Sequence, residues 1–112
     1  MDVDVMGRKE TVPEPVRRQA QTKVAKLGRL APVLEHAEVR LSQDGDAPAA
    51  ARNRCEVVVE GHGHVLRARA RAAEMQVALD LVVDKLERQA ERLKGKLVGR
   101  SHPRRQKVLS RA

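Results

Sequence analysis

The chain has 112 residues and a formal net charge of +8, with 41% hydrophobic and 34% charged residues and no Phe, Tyr or Trp. That size and composition predict one folded domain with a single core, and the missing aromatic rings exclude the base stacking that the commonest single-stranded RNA modules use. One cysteine excludes an intramolecular disulfide and a multi-cysteine zinc site, and no apolar run reaches the roughly 20 residues of a membrane span.

The first third of the chain predicts a strand, a helix and a second strand. Apolar and polar residues alternate over residues 1–6, which is typical of a strand with one solvated face. Thr11 and Glu14 then form a T-x-x-E capping box, and the helix that follows ends near Gly28. A second alternation over 37–42 predicts the next strand. The apolar sides of these elements hold Met1, Val3 and Val5, then Val16, Ala20, Val24 and Leu27, then Ala37, Val39 and Leu41.

A β-hairpin is predicted after a flexible loop at 43–51. Its strands alternate over 54–59 and 66–71, and a slip of one residue in their pairing would bury arginines. The pairing that keeps small and apolar groups on one face also places a negative side chain directly across from a positive one, and the two attract each other. It predicts a four-residue loop from Gly61 to His64. The predicted pairs are Val59 with Leu66, Val57 with Ala68, Cys55 with Ala70 and, on the other face, Glu56 with Arg69.

A long amphipathic helix is predicted over 73–98. Its apolar stripe consists of Leu79, Val82, Leu86, Ala90, Leu93 and Leu97, which recur at steps of three and four. The element order is therefore β-α-β-β-β-α, and we predict an α+β fold with one four-stranded sheet and both helices on one face. Residues 1–97 are expected to form this domain and residues 98–112 a basic, flexible tail.

The excess positive charge lies at the C-terminal end. Residues 1–91 hold 15 Lys+Arg and 15 Asp+Glu, whereas residues 92–112 hold eight basic residues and no acidic one. A segment of this kind binds polyanions, of which nucleic acid is the commonest. A solubilising tail is the alternative interpretation.

The charges of the long helix fall into two separate stripes. The basic ridge consists of Lys85, Arg88, Arg92 and Lys96, and the acidic stripe of Asp80, Asp84, Glu87 and Glu91. An ordinary solvated face usually mixes the signs, because opposite charges four residues apart attract each other. A ridge of one sign on a rigid helix fits a row of phosphates. An ordinary solvated face remains the alternative.

Two further groups of basic residues accompany the ridge. Arg18, Lys26 and Arg29 share the outer side of the first helix, and they would form one groove with the ridge if the helices lie side by side. Alternate residues of the last strand, Arg67, Arg69 and Arg71, lie on the opposite face of the sheet. They would contact RNA or, as we prefer at this point, keep an open sheet soluble and prevent pairing at its edge.

No pattern predicts an enzyme, a metal or a cofactor. His62 and His64 form an H-x-H at a hairpin tip without the further ligands that a metal site needs. Cys55 falls on the apolar face and is expected in the core. Asp80 and Asp84 lie one turn apart with no partner for acid–base catalysis, and the glycines form no phosphate-binding loop. We therefore predict a binding protein with no catalytic residue and no small-molecule substrate.

Residues 75–97 resemble the second helix of the ribosome hibernation-promoting factors, a family that includes the ribosome-associated inhibitor A proteins. The resemblance extends over about residues 1–97 and departs from the family at Gln76, where tyrosine is usual. The matching residues are Met75, Ala78-Leu79-Asp80-Leu81-Val82-Val83-Asp84-Lys85-Leu86, Glu87-Arg88-Gln89, Lys94, Lys96 and Leu97, with Gly7-Arg8, Val12-Pro13-Glu14 and Ala25-Lys26-Leu27 in the first strand and helix.

The resemblance implies a stress or stationary-phase protein that binds the small ribosomal subunit, occupies its decoding region and inhibits translation. It also implies a cytoplasmic location without a membrane partner, and we expect the dimerisation domain of the long family members to be absent from this chain. Contacts to ribosomal RNA map by resemblance to Lys26, Lys85, Arg88, Arg92, Lys94 and Lys96, and helix geometry adds Arg18 and Arg29.

Two other functions remain open at this point. A generic double-stranded RNA-binding module has a similar element order but lacks the first strand. A small enzyme or a metal protein would be indicated by tight, stoichiometric zinc that depends on His62 and His64. Binding to small subunits, in preference to isolated duplex RNA, separates the hibernation factor from the first of these.

Overall fold

The computed structural model describes residues 1–7 and 12–101, the last three as backbone only. The elements in chain order are β1 (Asp2–Gly7), α1 (Glu14–Ala25), α2 (Leu27–Leu30), β2 (His36–Gln43), β3 (Asn53–Gly61), β4 (His64–Ala72) and α3 (Met75–Ser101), with a short 3-10 turn at Ala49–Ala51. The four strands form one sheet, and the predicted α+β class is confirmed.

The sheet has the order β1-β2-β3-β4, with β1 parallel to β2 and the other neighbours antiparallel. All four predicted pairs between β3 and β4 are present, so the predicted register is confirmed. The predicted four-residue loop is wrong, because Gly61 and His64 pair with each other and leave a two-residue turn. Both turn residues have positive φ, 49° at His62 and 81° at Gly63, as a type I′ hairpin requires.

Gly61 allows the end of the hairpin to lie against the chain before β2. A Cβ at this position would stand 1.9 Å from the carbonyl oxygen of Val33. The backbone N–H of Glu35 donates to the carbonyl of Glu60 at 2.9 Å, and the Glu35 carboxylate contacts the imidazole of His62. A side chain at position 61 would therefore separate these two segments.

Both helices cover the same face of the sheet. α1 packs on β1 and β2, and α3 packs on β3 and β4. The fully buried side chains between the layers are all aliphatic or small: Leu27, Leu79, Leu86, Val24, Val39, Val57, Val59, Val82 and Cys55. The predicted apolar stripe of α3 is buried through Ala90, with Leu93 8% exposed, so it is the face that joins α3 to the sheet.

The first helical region differs from its prediction. One helix was expected to end near Gly28, but α1 ends at Ala25, and the chain turns at Lys26 into the short helix α2. Thr11 of the predicted capping box lies outside the described residues, and Pro13 occupies the N-cap position. The Arg17 guanidinium donates to the carbonyl of Val5 at 2.8 Å, which ties α1 to β1.

The last helix is longer than predicted. α3 begins at Met75 and runs to Ser101, beyond the expected end at Val98. The expected tail, residues 98–112, therefore starts inside this helix, and its part from 102 onward lies outside the described residues. The division into residues 1–97 and a tail stays a prediction.

Candidate nucleic-acid interface

The basic flank of α3 lies along β4, which is an edge strand of the sheet. The Lys85 ammonium donates to the carbonyl of Arg69 at 2.9 Å, and the Gln89 amide donates to the carbonyl of Arg67 at 2.8 Å. Four residues of a helix advance about 6 Å and two residues of a strand about 6.8 Å, so the two contacts match in spacing. These side chains donate hydrogen bonds to outward-pointing carbonyls of an edge strand, which no neighbouring strand satisfies.

The acidic flank of α3 faces α1. The Asp80 carboxylate contacts the ammonium of Lys23 on α1. Glu87 and Glu91 follow Asp80 by seven and eleven residues and so share its side of the helix. The helix is therefore rotated so that its acidic stripe points toward α1 and its basic ridge points away, toward β4.

All four side chains of the basic ridge are exposed. Arg88 makes an ion pair with Asp84 at 3.2 Å, an exposed pair with only a small effect on stability. Arg92 and Lys96 make no ion pair among the described residues, and they line an open groove of about 310 Å³ beside His64 and Val65 of β4. The C-terminal half of the ridge is therefore available to an anionic partner.

Lys94 does not belong to the ridge. It lies seven residues after Glu87 and three after Glu91, which places it at the end of the acidic flank. Its side chain is exposed. The structure therefore separates Lys94 from Lys96, although both were predicted to contact the same RNA.

The basic residues of the first helical region are also exposed but form a second group. Arg18 pairs with Glu14 at 3.5 Å on α1, Lys26 lies at the junction of α1 and α2, and Arg29 lies on α2. The acidic stripe of α3 faces α1, the helix that carries Arg18, through the ion pair of Asp80 with Lys23. The structure thus shows two basic groups with an acidic stripe between them, in place of the single groove suggested by the sequence. Contact of either group with RNA stays a prediction.

The other chemically reactive groups form no site. Burial raises the pKa of the Cys55 thiol to about 12, with a further contribution from the charge of Glu56, so the thiol stays protonated at neutral pH. Over residues 1–7 and 12–101, no group of three or more His, Cys, Asp or Glu side chains is placed to hold a metal ion. Over the same residues, no helix combines the length and apolarity that crossing a membrane needs.

Two residues on α3 have structural roles that the sequence pattern does not reveal. Gln89 was assigned no role, and Lys85 was considered only as a ligand for RNA. Their contacts with β4 depend on how the helix is seated on the sheet, which periodicity does not specify. The four-residue spacing between them is the one signal in the sequence that places both on the same flank.

The fold and this surface together define the class of protein, which is a small α+β domain with a basic flank on its longest helix. Residues 3–98 match the family described as Sigma 54 modulation protein / S30EA ribosomal protein, and the chain belongs to this family. The resemblance to the ribosome hibernation-promoting factors is thereby confirmed.

Individual relatives agree with the family match. A ribosome hibernation promotion factor of Deinococcus radiodurans is 34% identical over 88 residues, which are 79% of this chain and 46% of that protein. The chain thus spans about half the length of this curated relative. The N-terminal domain of Thermus thermophilus Protein Y gives a TM-score of 0.71 at 29% identity over 83% of this chain and 99% of that one. A ribosomal subunit interface protein of Coxiella burnetii shares the fold, with a TM-score of 0.69 at 18% identity over 85% and 99%.

Proposed function

We propose that this chain binds the small ribosomal subunit at the decoding region through ribosomal RNA, and that it thereby inhibits translation under stress or in stationary phase. The family match supports ribosome association, and the name of the Deinococcus relative describes ribosome hibernation. Inhibition requires only that the bound domain exclude messenger and transfer RNA, so this function needs no catalytic group or cofactor. It is a function of the cytoplasm, where translation takes place.

The basic ridge is the observation that carries the proposal. Its cations are fixed to a helix whose opposite side, including Leu79 and Leu86, is fully buried in the core. Because the helix backbone is already ordered, binding a row of phosphates costs only the rotamer freedom of the exposed lysine and arginine side chains. Because lysine and arginine contact phosphates without distinguishing bases, binding is expected to depend on RNA shape and on salt more than on base sequence.

The proposal is tested by comparing the affinities of the full chain for purified small subunits, large subunits and an isolated RNA duplex. We expect tight binding to small subunits in dilute buffer, competition by messenger and transfer RNA, and much weaker binding to the duplex. Small subunits already saturated with messenger and transfer RNA provide the control, because the decoding region is then occupied.

Two results would overturn the proposal. Equal affinity for duplex RNA and small subunits would indicate a generic double-stranded RNA-binding module. Absence of binding to small subunits at low salt, where electrostatic attraction is strongest, would exclude the small subunit as the target.

A further inference from the structure

The outer face of the sheet, opposite the helices, has its charges segregated toward two ends. The strand register defines four cross-strand rows on this face. Two rows contain Asp2, Asp4, Glu38 and Glu60 with the single arginine Arg67, and the other two contain Arg40, Arg54, Arg69 and Arg71 with the single acid Glu56. One end of this face is therefore predominantly positive and includes Arg69, whereas Arg67 stands in the adjoining row with Asp4 and Glu38.

The arginines of β4 are the part of this face that lies at the sheet edge. Arg71 contacts Asp44 at 3.4 Å, whereas Arg67 and Arg69 make no side-chain ion pair among the described residues. Arg67 stands opposite Val58 and Arg69 opposite Glu56, and both are exposed. An open cleft of about 440 Å³ is lined in part by Arg69 and Arg71.

Protection of the sheet edge does not depend on these arginines alone, because α3 covers part of it. An exposed edge strand is hazardous because its outward backbone groups can pair with another chain. In this structure the outward carbonyls of Arg67 and Arg69 already accept hydrogen bonds from Gln89 and Lys85. The positive side chains at the two positions are therefore available for another role.

The same two hydrogen bonds bring the basic ridge and the β4 arginines together around one strand. The ridge lies on the helix side of β4, and the side chains of Arg67 and Arg69 lie on its other side. We propose that Arg67 and Arg69 extend the RNA-binding surface of the ridge around the edge of β4, so that RNA backbone contacts both sides of this strand. This inference rests on the function proposed above.

The geometry of the two arginines suits phosphates. They lie two residues apart on one strand, so their Cα atoms are about 6.8 Å apart and their side chains project in the same direction. A guanidinium donates two parallel hydrogen bonds to one phosphate, and the exposed position allows a strand of RNA to approach. Each phosphate contact adds roughly one unit to the slope of the logarithm of the binding constant against the logarithm of salt concentration.

The test is the salt dependence of binding to purified small subunits, measured for the full chain and for R67Q/R69Q. We expect the double variant to bind at least about tenfold more weakly near 0.1 M salt, with a slope smaller by about two units. R67K/R69K retains both charges and is expected to keep the slope of the unmodified chain. Because the side chains are exposed, urea denaturation is expected to show unchanged stability.

A matched control removes the same charge away from the edge strand β4. Arg40 pairs with Glu38 on β2, two strands from β4, and Arg52 precedes β3, so R40Q/R52Q is expected to change the affinity no more than about twofold. The inference is overturned if R67Q/R69Q behaves like this control while K85A/R88A/R92A binds weakly. Failure of the unmodified chain to bind small subunits would instead overturn the proposed function.

Discussion

The two flanks of α3 differ in charge and also in what they contact. On the flank toward α1, the Asp80 carboxylate meets the oppositely charged ammonium of Lys23. On the flank toward β4, the Lys85 ammonium donates to the neutral carbonyl of Arg69. A carboxylate next to an ammonium is neutralised within the fold, whereas a carbonyl orients an ammonium without cancelling its charge. The basic flank therefore packs against the sheet and still presents its positive charge to a partner.

The largest effect on stability is expected from the apolar stripe that separates the two flanks. Leu86 is fully buried, and L86A should lower the free energy of unfolding by about 2–5 kcal/mol through lost burial and the cavity left behind. Urea denaturation measures the change. L81A on the same helix removes a side chain that is 44% exposed and serves as the control, and equal losses in the two variants would contradict the packing described.

A smaller effect is expected where α3 meets the edge of β4. Q89A removes the hydrogen bond to the carbonyl of Arg67 and should lower the free energy of unfolding by about 0.5–1.5 kcal/mol. Q76A, at an exposed position of the same helix, is the matched control. Hydrogen exchange of the β4 amides should accelerate in Q89A alone, and identical exchange in both variants would argue against edge protection by α3.

The smallest effect is expected on the acidic flank. D80N removes an ion pair whose side chains are 35% and 57% exposed, so the loss should not exceed about 1 kcal/mol and should vanish in 1 M salt. Its affinity for small subunits should stay unchanged, because this charge is neutralised within the fold. A large, salt-independent loss of stability would contradict the description of the Asp80–Lys23 contact as an exposed ion pair.

Parts of this fold could be predicted from the sequence because a shift of one residue would bury charged side chains. The register of β3 and β4 follows from the sequence, since a slip of one residue would bury Arg67 and Arg69 in place of Leu66 and Ala68. The buried stripe of α3 follows from its period. Both results depend only on which residues must avoid water.

The remaining features depend on contacts between segments distant in the chain. Burial of the apolar stripe fixes the rotation of α3 on the sheet. Which charged flank then faces α1 depends on the side of α3 on which α1 lies, and periodicity does not specify that. Tertiary contacts also determine two other features. These are the close approach of Gly61 to the chain near Val33 and the turn of the chain at Lys26. Lys94 is different, because its spacing from Glu91 places it on the acidic flank and the resemblance alone had grouped it with the ridge.

The most direct test of the basic flank is the salt dependence of binding to purified small subunits for K85A/R88A/R92A, with E87Q/E91Q as the control on the opposite flank. If the ridge contacts phosphates, the triple variant should bind more than tenfold more weakly near 0.1 M salt, with a slope smaller by about three units. The control should keep the slope of the unmodified chain. A folded triple variant with unchanged affinity and slope would contradict the account.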